Sequence, residues 1–504
     1  MNKRRTSILA GIILIFIVGL FLFWRFQLNV QGMQPDIKGD LKDFNFVFIT
    51  IDALRADHLG CYGYRRNTSP FIDSLAREGM VFERAMSNSS FTRESVSVIF
   101  SGLLPSSGNS VNWSAKPSRM SPTMGTYFHQ AGYETGFFSN HLFLNDPAFT
   151  RGFKDIWFCD KRGVSGNGPK LVEKAGEFAK KCQKRQKKFM MYLHFMDPHA
   201  PYTPPEKYLR KFARTVFPKP LRLYNFVRIN CDALIKEGFG PGEERFEDLV
   251  MRYDAEIALV DHSLRVFFNT LKNLRLVENT FVIITADHGE EFLEHDYVEH
   301  GWTLYEESVH VPLILSAPGS VGAGRVASRV SSVDLLPSIL RLMKISHQRE
   351  HFDGEPLFAL TSGGFLFSPP TRPYIAELML GNRNLIRAVV QGDWKYISAM
   401  KWLDPPERPG VLKNKKNRRT SRRANQPRAK MWGPVIREEL YNLSRDYAEK
   451  HSLPDPSKRK ELRLMLERYK AHCLNKKARS RPEEHKAREL SKRDREKLKT
   501  LGYL

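Results

Sequence analysis

The chain has 504 residues, of which 41% are hydrophobic, so a packed globular domain is expected and an intrinsically disordered chain is excluded. Lysine and arginine number 79 against 55 acidic residues, which gives a formal net charge of +24. This excess is uneven: it is concentrated in the segment 413–430 and after residue 454, whereas the central part of the chain is more balanced.

The N-terminus combines a basic cluster with an uncharged, mostly apolar run from Ser7 to Trp24. As a helix, such a run would extend about 27 Å, close to the thickness of a bilayer core. No small-residue cleavage site follows it, which favours an uncleaved anchor over the alternative of a removed signal peptide. The sequence therefore predicts a cytoplasmic stub at 1–6, a transmembrane anchor at 7–26, and a single-pass membrane protein whose main domain is periplasmic or extracellular.

After a polar linker at 27–43, short apolar segments alternate with helical stretches as far as residue 350. This alternation predicts an α/β domain at 44–350, with a doubly wound, mostly parallel sheet sandwiched by helices. Chemistry in such sheets lies beyond the carboxyl ends of the strands. Polar side chains follow the predicted strands at these ends, so we expect them to lie near one another: Asp52, Asn140, His194, Asp287 and His288.

The pattern changes after residue 350, where short alternating segments predict a smaller antiparallel sheet in a C-terminal subdomain at 351–455. This subdomain carries a basic insertion at 405–432 and is followed by a basic helical tail at 456–504. Because the insertion lacks interleaved aromatic residues, no nucleic-acid partner is expected. We interpret it as a surface for anionic lipid, glycolipid or polysaccharide, although a solvated loop without a partner explains it equally well.

Two carboxylates and a histidine at strand ends are candidate metal ligands. Asp52 offers the oxygen ligand that a hard cation prefers, although a strand-end aspartate also has local structural uses. Asp287 and His288 are adjacent on one turn before Gly289, so both side chains can reach one cation. The alternative for this pair is an exposed polar turn.

Thr92 lies directly before an apolar helical stretch. A hydroxyl is a poor nucleophile at neutral pH and needs a base or a metal to activate it. A helix N-terminus also favours the oxygens of a bound anionic ester. Helix capping explains Thr92 if it is considered alone, and it becomes a candidate nucleophile only because candidate metal ligands flank it in the chain.

Three further histidines are candidates for contacting an ester. His194 and His199 lie in a segment that the following prolines make rigid, and His199 has the stronger claim to a role as an acid or a substrate ligand. The alternative for both is a hydrogen-bonded loop histidine, and for His194 a purely structural role. His300 could bind ester oxygens or protonate a leaving group. Neighbouring His295 could act in the same way, but the position of His300 before the Tyr305–Glu306 pair favours it.

Taken together and in this order, these motifs resemble the sulfatase-like branch of the alkaline phosphatase superfamily, from about Phe44 to about Leu453, including the string Glu439-Leu-Tyr-Asn-Leu. The resemblance implies one divalent metal ion (Mn, Zn, Mg or Ca) and a covalent mechanism. It implies the following roles: metal ligands Asp52, Thr92, Asp287 and His288; catalytic residues Thr92, His199 and His300; substrate-binding residues Asn140, His194 and Arg93.

The chain departs from the sulfatases that use formylglycine. Those enzymes need cysteine or serine followed by x-Pro-x-Arg, whereas this chain has Thr92, then Glu94 and Val96 at the proline and arginine positions. Ala53 replaces a second acidic ligand, which suggests one metal rather than a calcium cage, and Asn140 stands where the family has a sulfate-binding lysine. Threonine at this position resembles the phosphoethanolamine and glycerol-phosphate transferases and the phosphodiesterases of the superfamily.

The expected function is therefore metal-dependent hydrolysis or transfer of phosphate or sulfate esters through a threonine nucleophile, at a membrane, with attack on phosphorus favoured over attack on sulfur. The expected partner is an anionic ester, such as a glycolipid or polysaccharide. Two alternatives remain open at this point: a sulfatase that works without formylglycine, and a catalytically decayed protein that binds anionic glycolipid or polysaccharide.

Overall fold

The computed structural model describes residues 36–108, 110, 115–118, 121–159, 166–212, 235–348, 352–380, 384–403 and 431–479. Within these ranges, the central element is a sheet of nine strands. The strands of this sheet are β2 (Asn45–Ile51), β3 (Met80–Met86), β4 (Glu134–Ser139), β5 (Asp155–Phe158), β6 (Phe189–Phe195), β7 (Thr280–Ala286), β10 (His310–Val311), β11 (Leu313–Ser316) and β12 (Gly324–Ser331).

Five neighbouring strands run parallel in the order β5, β4, β6, β2 and β7. All seven residues of β2 and of β6 are buried, as expected for central parallel strands that are covered on both faces. Beyond β7, β11 pairs antiparallel with β7 and β3, and β12 pairs parallel with β3. The predicted α/β fold with a large, mostly parallel sheet is confirmed.

The helices cover this sheet and connect its strands. They are α1 (Pro70–Glu78), α2 (Thr92–Ser101), α3 (Met124–Gln130), α4 (Pro147–Thr150), α5 (Gly168–Lys184), α6 (Glu206–Leu209), α7 (Glu244–Asn273), α8 (Glu306–Val309), α9 (Leu335–Leu342) and α10 (Pro456–Arg479). α5 contacts β4, β6 and the long helix α7, and its apolar side faces the core with residues such as Leu171, Ala175 and Phe178.

The register of the parallel strands aligns their carboxyl ends. Thr50 lies opposite both His194 on β6 and Thr285 on β7, and Ser139 on β4 also lies opposite His194. Residues that directly follow these positions therefore emerge at one edge of the sheet. This edge is where the candidate site lies.

The C-terminal part contains the smaller antiparallel sheet that the sequence predicts. Its strands follow one another in the order β15 (Tyr374–Met379), β16 (Asn384–Gln391), β17 (Trp394–Leu403) and β18 (Met431–Asn442). α10 contacts β16 and β17, which places the start of the predicted helical tail against this sheet. Residues 405–430 of the basic insertion and residues 480–504 of the tail lie outside the described residues.

Two small sheets complete the described structure. The short hairpin of β8 (Glu291–Phe292) and β9 (Val298–Glu299) leads into His300. β1 (Asp36–Lys38) pairs with β14 (Gly364–Phe367), which also pairs with β13 (Phe358–Thr361). Part of the segment 27–43, which was predicted as a polar linker, therefore forms a strand. The side chain of Ile37 on this strand is completely buried in the main core.

The predicted localisation needs correction. Among the residues that the structure describes, no helix is both long enough and apolar enough to cross a membrane. The segment 7–26, which the sequence analysis interpreted as an anchor, lies within residues 1–35 and thus outside the described residues. The prediction of a single-pass membrane protein rested on the length and hydropathy of that one segment. The finding for the described helices contradicts it.

Candidate active site

Two carboxylates and two imidazoles meet at the carboxyl edge of the sheet. Asp52 follows β2 and Asp287 follows β7, and ligand atoms of Asp52, Asp287 and His194 all lie within 4.8 Å of one another. His288 Nε2 lies 3.6 Å from Asp52 Oδ1 and 3.5 Å from Asp287 Oδ2. All four side chains are completely buried. The predicted convergence of Asp52, Asp287 and His288 is thus present in the fold.

The oxygen atoms of this cluster fit a divalent cation. Asp287 Oδ1 accepts hydrogen bonds from the backbone N–H groups of Ala53 and His288, at 3.2 and 3.0 Å. Its other oxygen, Oδ2, and Asp52 Oδ1 have no hydrogen-bond partner among the described residues. Buried carboxylate oxygens without a partner are costly unless an ion binds them. Asp52, Asp287 and His288 would therefore hold the ion, with His194 as an additional nitrogen within reach.

Burial and neighbouring negative charges both raise the pKa of carboxyl groups at the site. Burial raises the pKa of Asp52 well above its usual range, and the carboxylates of Asp287 and Glu290 raise it further. Burial also raises the pKa of Glu290 to about 8, against the hydrogen bond from Tyr202, which lowers it. A cation bound between the carboxylates would favour their ionised forms.

The hydrogen bonds of His288 set its tautomer. Its Nδ1 lies 2.8 Å from the carbonyl oxygen of Gly289, which can only accept, so Nδ1 carries the proton. Nε2 therefore presents a lone pair to the cluster, which is the form that binds a metal. The orienting carbonyl belongs to the next residue, so the local sequence Asp287-His288-Gly289 builds this arrangement.

Thr92 faces this lone pair. It is the first residue of α2, and its Oγ1 lies 3.2 Å from His288 Nε2. The hydroxyl is completely buried and is not used to cap the helix, which was the structural alternative for it. The structure thus brings the predicted nucleophile to the predicted metal ligands, although the catalytic and metal-binding roles themselves stay predictions.

His300 and His199 lie next to each other beside the cluster. Their ring centroids are 4.7 Å apart, and the His300 ring is 4.2 Å from that of His288. His300 Nδ1 lies 2.8 Å from Glu290 Oε1, and His199 Nδ1 lies 2.5 Å from the carbonyl oxygen of Ala200. The Ala200 carbonyl can only accept, so His199 Nδ1 carries the proton, and an ionised Glu290 places the proton of His300 on Nδ1 in the same way; each Nε2 is then the basic nitrogen. Burial lowers the pKa of both imidazoles well below the usual range.

His194 and His141 approach Asp52 from the other side. His194 Nε2 lies 3.2 Å and His141 Nε2 lies 3.3 Å from Asp52 Oδ2. His141 Nδ1 accepts a hydrogen bond from the backbone N–H of Phe143, so its Nε2 carries a proton and is a donor. Burial lowers the pKa of His194 to about 4 and that of His141 well below its usual range, so both rings are neutral near pH 7.

Asn140 offers a second neutral donor. Its side-chain oxygen accepts a hydrogen bond of 2.8 Å from the backbone N–H of Met196, so its amide nitrogen is the group left to bind a ligand. That nitrogen is buried and has no hydrogen-bond partner among the described residues. This geometry is compatible with the predicted contact to substrate.

Arg93 makes a different set of contacts. Its guanidinium donates to the carbonyl oxygens of Ala115 and Phe143, at 2.7 and 2.8 Å, and lies 3.6 Å from Asp146. Arg93 therefore links α2 to the loops around the site through hydrogen bonds and an ion pair. Its predicted contact with substrate stays a prediction.

Three site residues were missed in the sequence. His141 directly follows the polar residues at the end of β4, and Glu290 directly follows the Asp287-His288-Gly289 turn. Both could have been found from the rule about strand ends. Tyr202, whose hydroxyl donates to Glu290 Oε2 at 2.8 Å, lies three residues after His199 in the same proline-rich segment, but it is not at a strand end and that rule does not find it.

Comparison with known families identifies the family to which the chain belongs. The family model described as Sulfatase matches residues 44–345, which is more than half of the chain and includes every residue of the candidate site. The chain belongs to the sulfatase family. It is a hydrolase, as the sulfatases similar to it are.

This sulfatase is similar to a curated protein of Escherichia coli (strain K12) named uncharacterized sulfatase YidJ. The two are 25% identical over 401 residues, which cover 71% of this chain and 79% of the relative. Arylsulfatase K of Mus musculus is 27% identical over 387 residues, covering 65% of this chain and 67% of the relative.

Solved structures support the fold of this sulfatase. BT4656 in complex with its substrate D-glucosamine-2-N,6-O-disulfate has a TM-score of 0.66 at 17% identity, covering 86% of this chain and 99% of that one. The phosphonate monoester hydrolase of Agrobacterium radiobacter has a TM-score of 0.62 at 17% identity, covering 86% and 95%. At these identities the similarity establishes a shared fold.

Proposed function

We propose that this sulfatase cleaves an anionic sulfate ester by a covalent mechanism in which Thr92 is the nucleophile and one divalent metal ion is the cofactor. The observation that carries the proposal is the 3.2 Å distance between Thr92 Oγ1 and the lone-pair nitrogen of His288, beside two buried carboxylate oxygens that lack partners. A metal held by Asp52, Asp287 and His288 supplies charge that lowers the pKa of a nearby hydroxyl and offsets the charge of the ester.

The protein residues account for the protons of the reaction. Nε2 of His300 accepts the proton of the Thr92 hydroxyl as the threonine oxygen attacks sulfur. The bond between sulfur and the leaving oxygen breaks, and that oxygen takes the proton back from Nε2 of His300 and departs as an alcohol. Glu290 stabilises the protonated form of His300 through its contact with Nδ1. Water then attacks the sulfur of the threonine ester, and the threonine oxygen leaves with a proton from the water.

The donors Asn140 Nδ2 and His141 Nε2 are suited to the non-bridging oxygens of the ester. Both are buried and neither makes a hydrogen bond among the described residues, with His141 Nε2 in contact with Asp52 Oδ2 at 3.3 Å, so a bound oxygen would satisfy each of them. They hold the ester by hydrogen bonds without adding a positive charge. BT4656 is described with a sulfated glucosamine as its substrate, which makes a sulfated sugar a suitable first substrate to test here.

A phosphoryl ester is the second candidate substrate, and Thr92 is the specific observation that favours it. A threonine cannot be converted to formylglycine, so the product of the first step is an ordinary threonine ester. Attack of a hydroxyl on phosphorus, followed by hydrolysis or by transfer to an acceptor alcohol, requires no aldehyde. The similarly folded phosphonate monoester hydrolase also makes phosphonate esters a reasonable class to test.

A substrate panel separates these candidates. The purified protein would be assayed with aryl sulfates, phosphate monoesters, phosphodiesters and phosphonate monoesters, each with Mn²⁺, Zn²⁺, Mg²⁺ or Ca²⁺. The proposal expects sulfate esters to give the highest kcat/KM. A preference for phosphodiesters or phosphonates would select the second candidate, and no turnover with any ester and metal would refute both and favour a binding protein.

Metal dependence is tested by Asp287→Asn. The substitution keeps the shape of the side chain but removes its charge, so the affinity for Mn²⁺ measured by titration calorimetry is expected to fall by about 100-fold or more. Asp261→Asn is the matched control. It alters a buried carboxylate that accepts hydrogen bonds from the backbone N–H groups of Phe71 and Ile72, on α1. Equal Mn²⁺ affinity in wild type and Asp287→Asn would contradict the assigned ligand set.

A further inference from the structure

The short helix α8 is in direct backbone contact with the turn that follows the candidate metal ligands. The N–H group of Gly289 donates to the carbonyl oxygen of Ser308 at 2.8 Å, and that of Glu290 donates to the carbonyl oxygen of Glu307 at 3.1 Å. A Cβ atom on Gly289 would lie only 2.0 Å from Glu307 O. Any displacement of α8 therefore moves the Asp287–His288 turn as well.

A buried charge cluster attaches α8 to the C-terminal sheet. Lys395 on β17 is completely buried, and its Nζ lies 3.0 Å from Glu306 Oε1 and 2.9 Å from Glu449 Oε1. The backbone N–H of Glu306 donates to Glu449 Oε2 at 2.7 Å. Burial of a lysine with two carboxyl groups is expensive and is weak evidence for a stabilising role. The cluster is better explained by its effect on position, because its contacts hold α8 against the C-terminal sheet.

The same connection has a second branch through His295. Its Nδ1 lies 2.5 Å from Glu307 Oε1, and its Nε2 lies 3.2 Å from the carbonyl oxygen of Glu449. Its ring stacks on Tyr305, with centroids 3.6 Å apart. The residues on either side of His300 are thus held by the segment after β18, and His295 has a structural use outside the site rather than the substrate contact considered for it in the sequence.

We propose that Lys395 is a positioning residue for the active site: with Glu306 and Glu449 it fixes α8, and α8 fixes the backbone that carries Asp287 and His288. The C-terminal sheet then helps to hold the active site in its geometry, although Lys395 touches neither the candidate ligands nor Thr92. This inference rests on the proposed function in that it takes Asp287 and His288 as metal ligands.

The test is Lys395→Met, which keeps most of the volume of the side chain and removes its charge. Two properties are measured in the full-length protein: hydrogen exchange of the Gly289 and Glu290 amides without metal, and the affinity for Mn²⁺ alone. Loss of the cluster is expected to speed exchange at both amides and to weaken Mn²⁺ binding, each by about 10-fold, as is typical when support behind a metal ligand is removed.

The matched control is Arg387→Met, which breaks another completely buried ion pair in the same sheet. Arg387 Nε donates to Glu377 Oε1 at 2.8 Å, and Glu377 accepts further hydrogen bonds from Ser106 and Tyr469. This control carries a comparable loss of buried charge pairing, and both measured properties are expected to stay within twofold of wild type.

Three outcomes have distinct meanings. Wild-type exchange and Mn²⁺ affinity in Lys395→Met, or equal changes in the two variants, would overturn the positioning role. If Lys395→Met does not fold, Glu449→Gln replaces one carboxyl oxygen that contacts Glu306 or Lys395 with less change in shape, and is expected to give the same two effects. A wild-type protein that binds no metal would refute the proposed function instead, and the hydrogen-exchange comparison would still decide whether Lys395 positions the turn.

Discussion

Replacing Thr92 by alanine is expected to lower kcat/KM about 1,000-fold or more on the best ester substrate, because it removes the only atom that forms the proposed covalent intermediate. The fold should tolerate the change. Thr92 begins α2, its hydroxyl does not cap the helix, and the free energy of unfolding should change by about 1 kcal/mol or less. The measurement is steady-state kinetics at saturating metal, with the active protein concentration taken from the folded fraction.

Two further variants make this result specific. Thr92→Ser keeps a hydroxyl at the same position and is expected to retain activity within about tenfold of wild type. Ser97→Ala removes a hydroxyl from the same helix, one that bonds the carbonyl oxygen of Arg93, and should leave kcat/KM unchanged. Retention of more than a tenth of wild-type activity by Thr92→Ala would mean that another group, or water, attacks the ester directly.

Gly289→Ala is expected to destabilise the protein by about 3 kcal/mol or more and to abolish activity in any folded fraction. The added Cβ would meet Glu307 O at 2.0 Å and Glu307 C at 3.0 Å, and these are backbone atoms that cannot rotate away. The turn and α8 would have to separate, which breaks the hydrogen bonds of Gly289 and Glu290 and displaces His288 from Thr92. Urea denaturation gives the change in the free energy of unfolding.

Gly240→Ala is the control for this substitution. A Cβ atom at Gly240 would meet no atom within 4 Å, and its backbone does not require glycine. The free energy of unfolding should change by less than about 1 kcal/mol, with full activity. Equal stability of Gly289→Ala and Gly240→Ala would show that α8 can yield without cost, which would also weaken the case for Lys395 as a positioning residue.

The site residues that could be predicted from the sequence are those that lie at the carboxyl ends of parallel strands. Asp52, His194 and Asp287 each follow or end a buried parallel strand, and the alignment of those strands is a general property of α/β sheets. Thr92 was less certain, because capping and nucleophilic attack use the same residue at the same helix position. The distance to His288 and the lack of a capping hydrogen bond separate these two explanations.

The parts that could not be predicted depend on contacts between distant segments. The tautomer of His141 is set by the turn at Phe143, and the sequence does not show that its Nε2 then lies 3.3 Å from Asp52 Oδ2. The contact between Gly289 and Glu307, and the burial of Lys395 between Glu306 and Glu449, join residues that no local pattern connects. The membrane anchor was predicted from hydropathy and length alone, without any such packing evidence.

The strand β1 has a practical consequence for handling the protein. Because Asp36–Lys38 pairs with β14 and Ile37 fills the core, a recombinant chain that starts at residue 44 would uncover both an apolar cavity and the free backbone groups of β14. An uncovered strand of this kind tends to recruit strands from other molecules, which leads to aggregation. Truncations intended for crystallisation should therefore begin before Asp36.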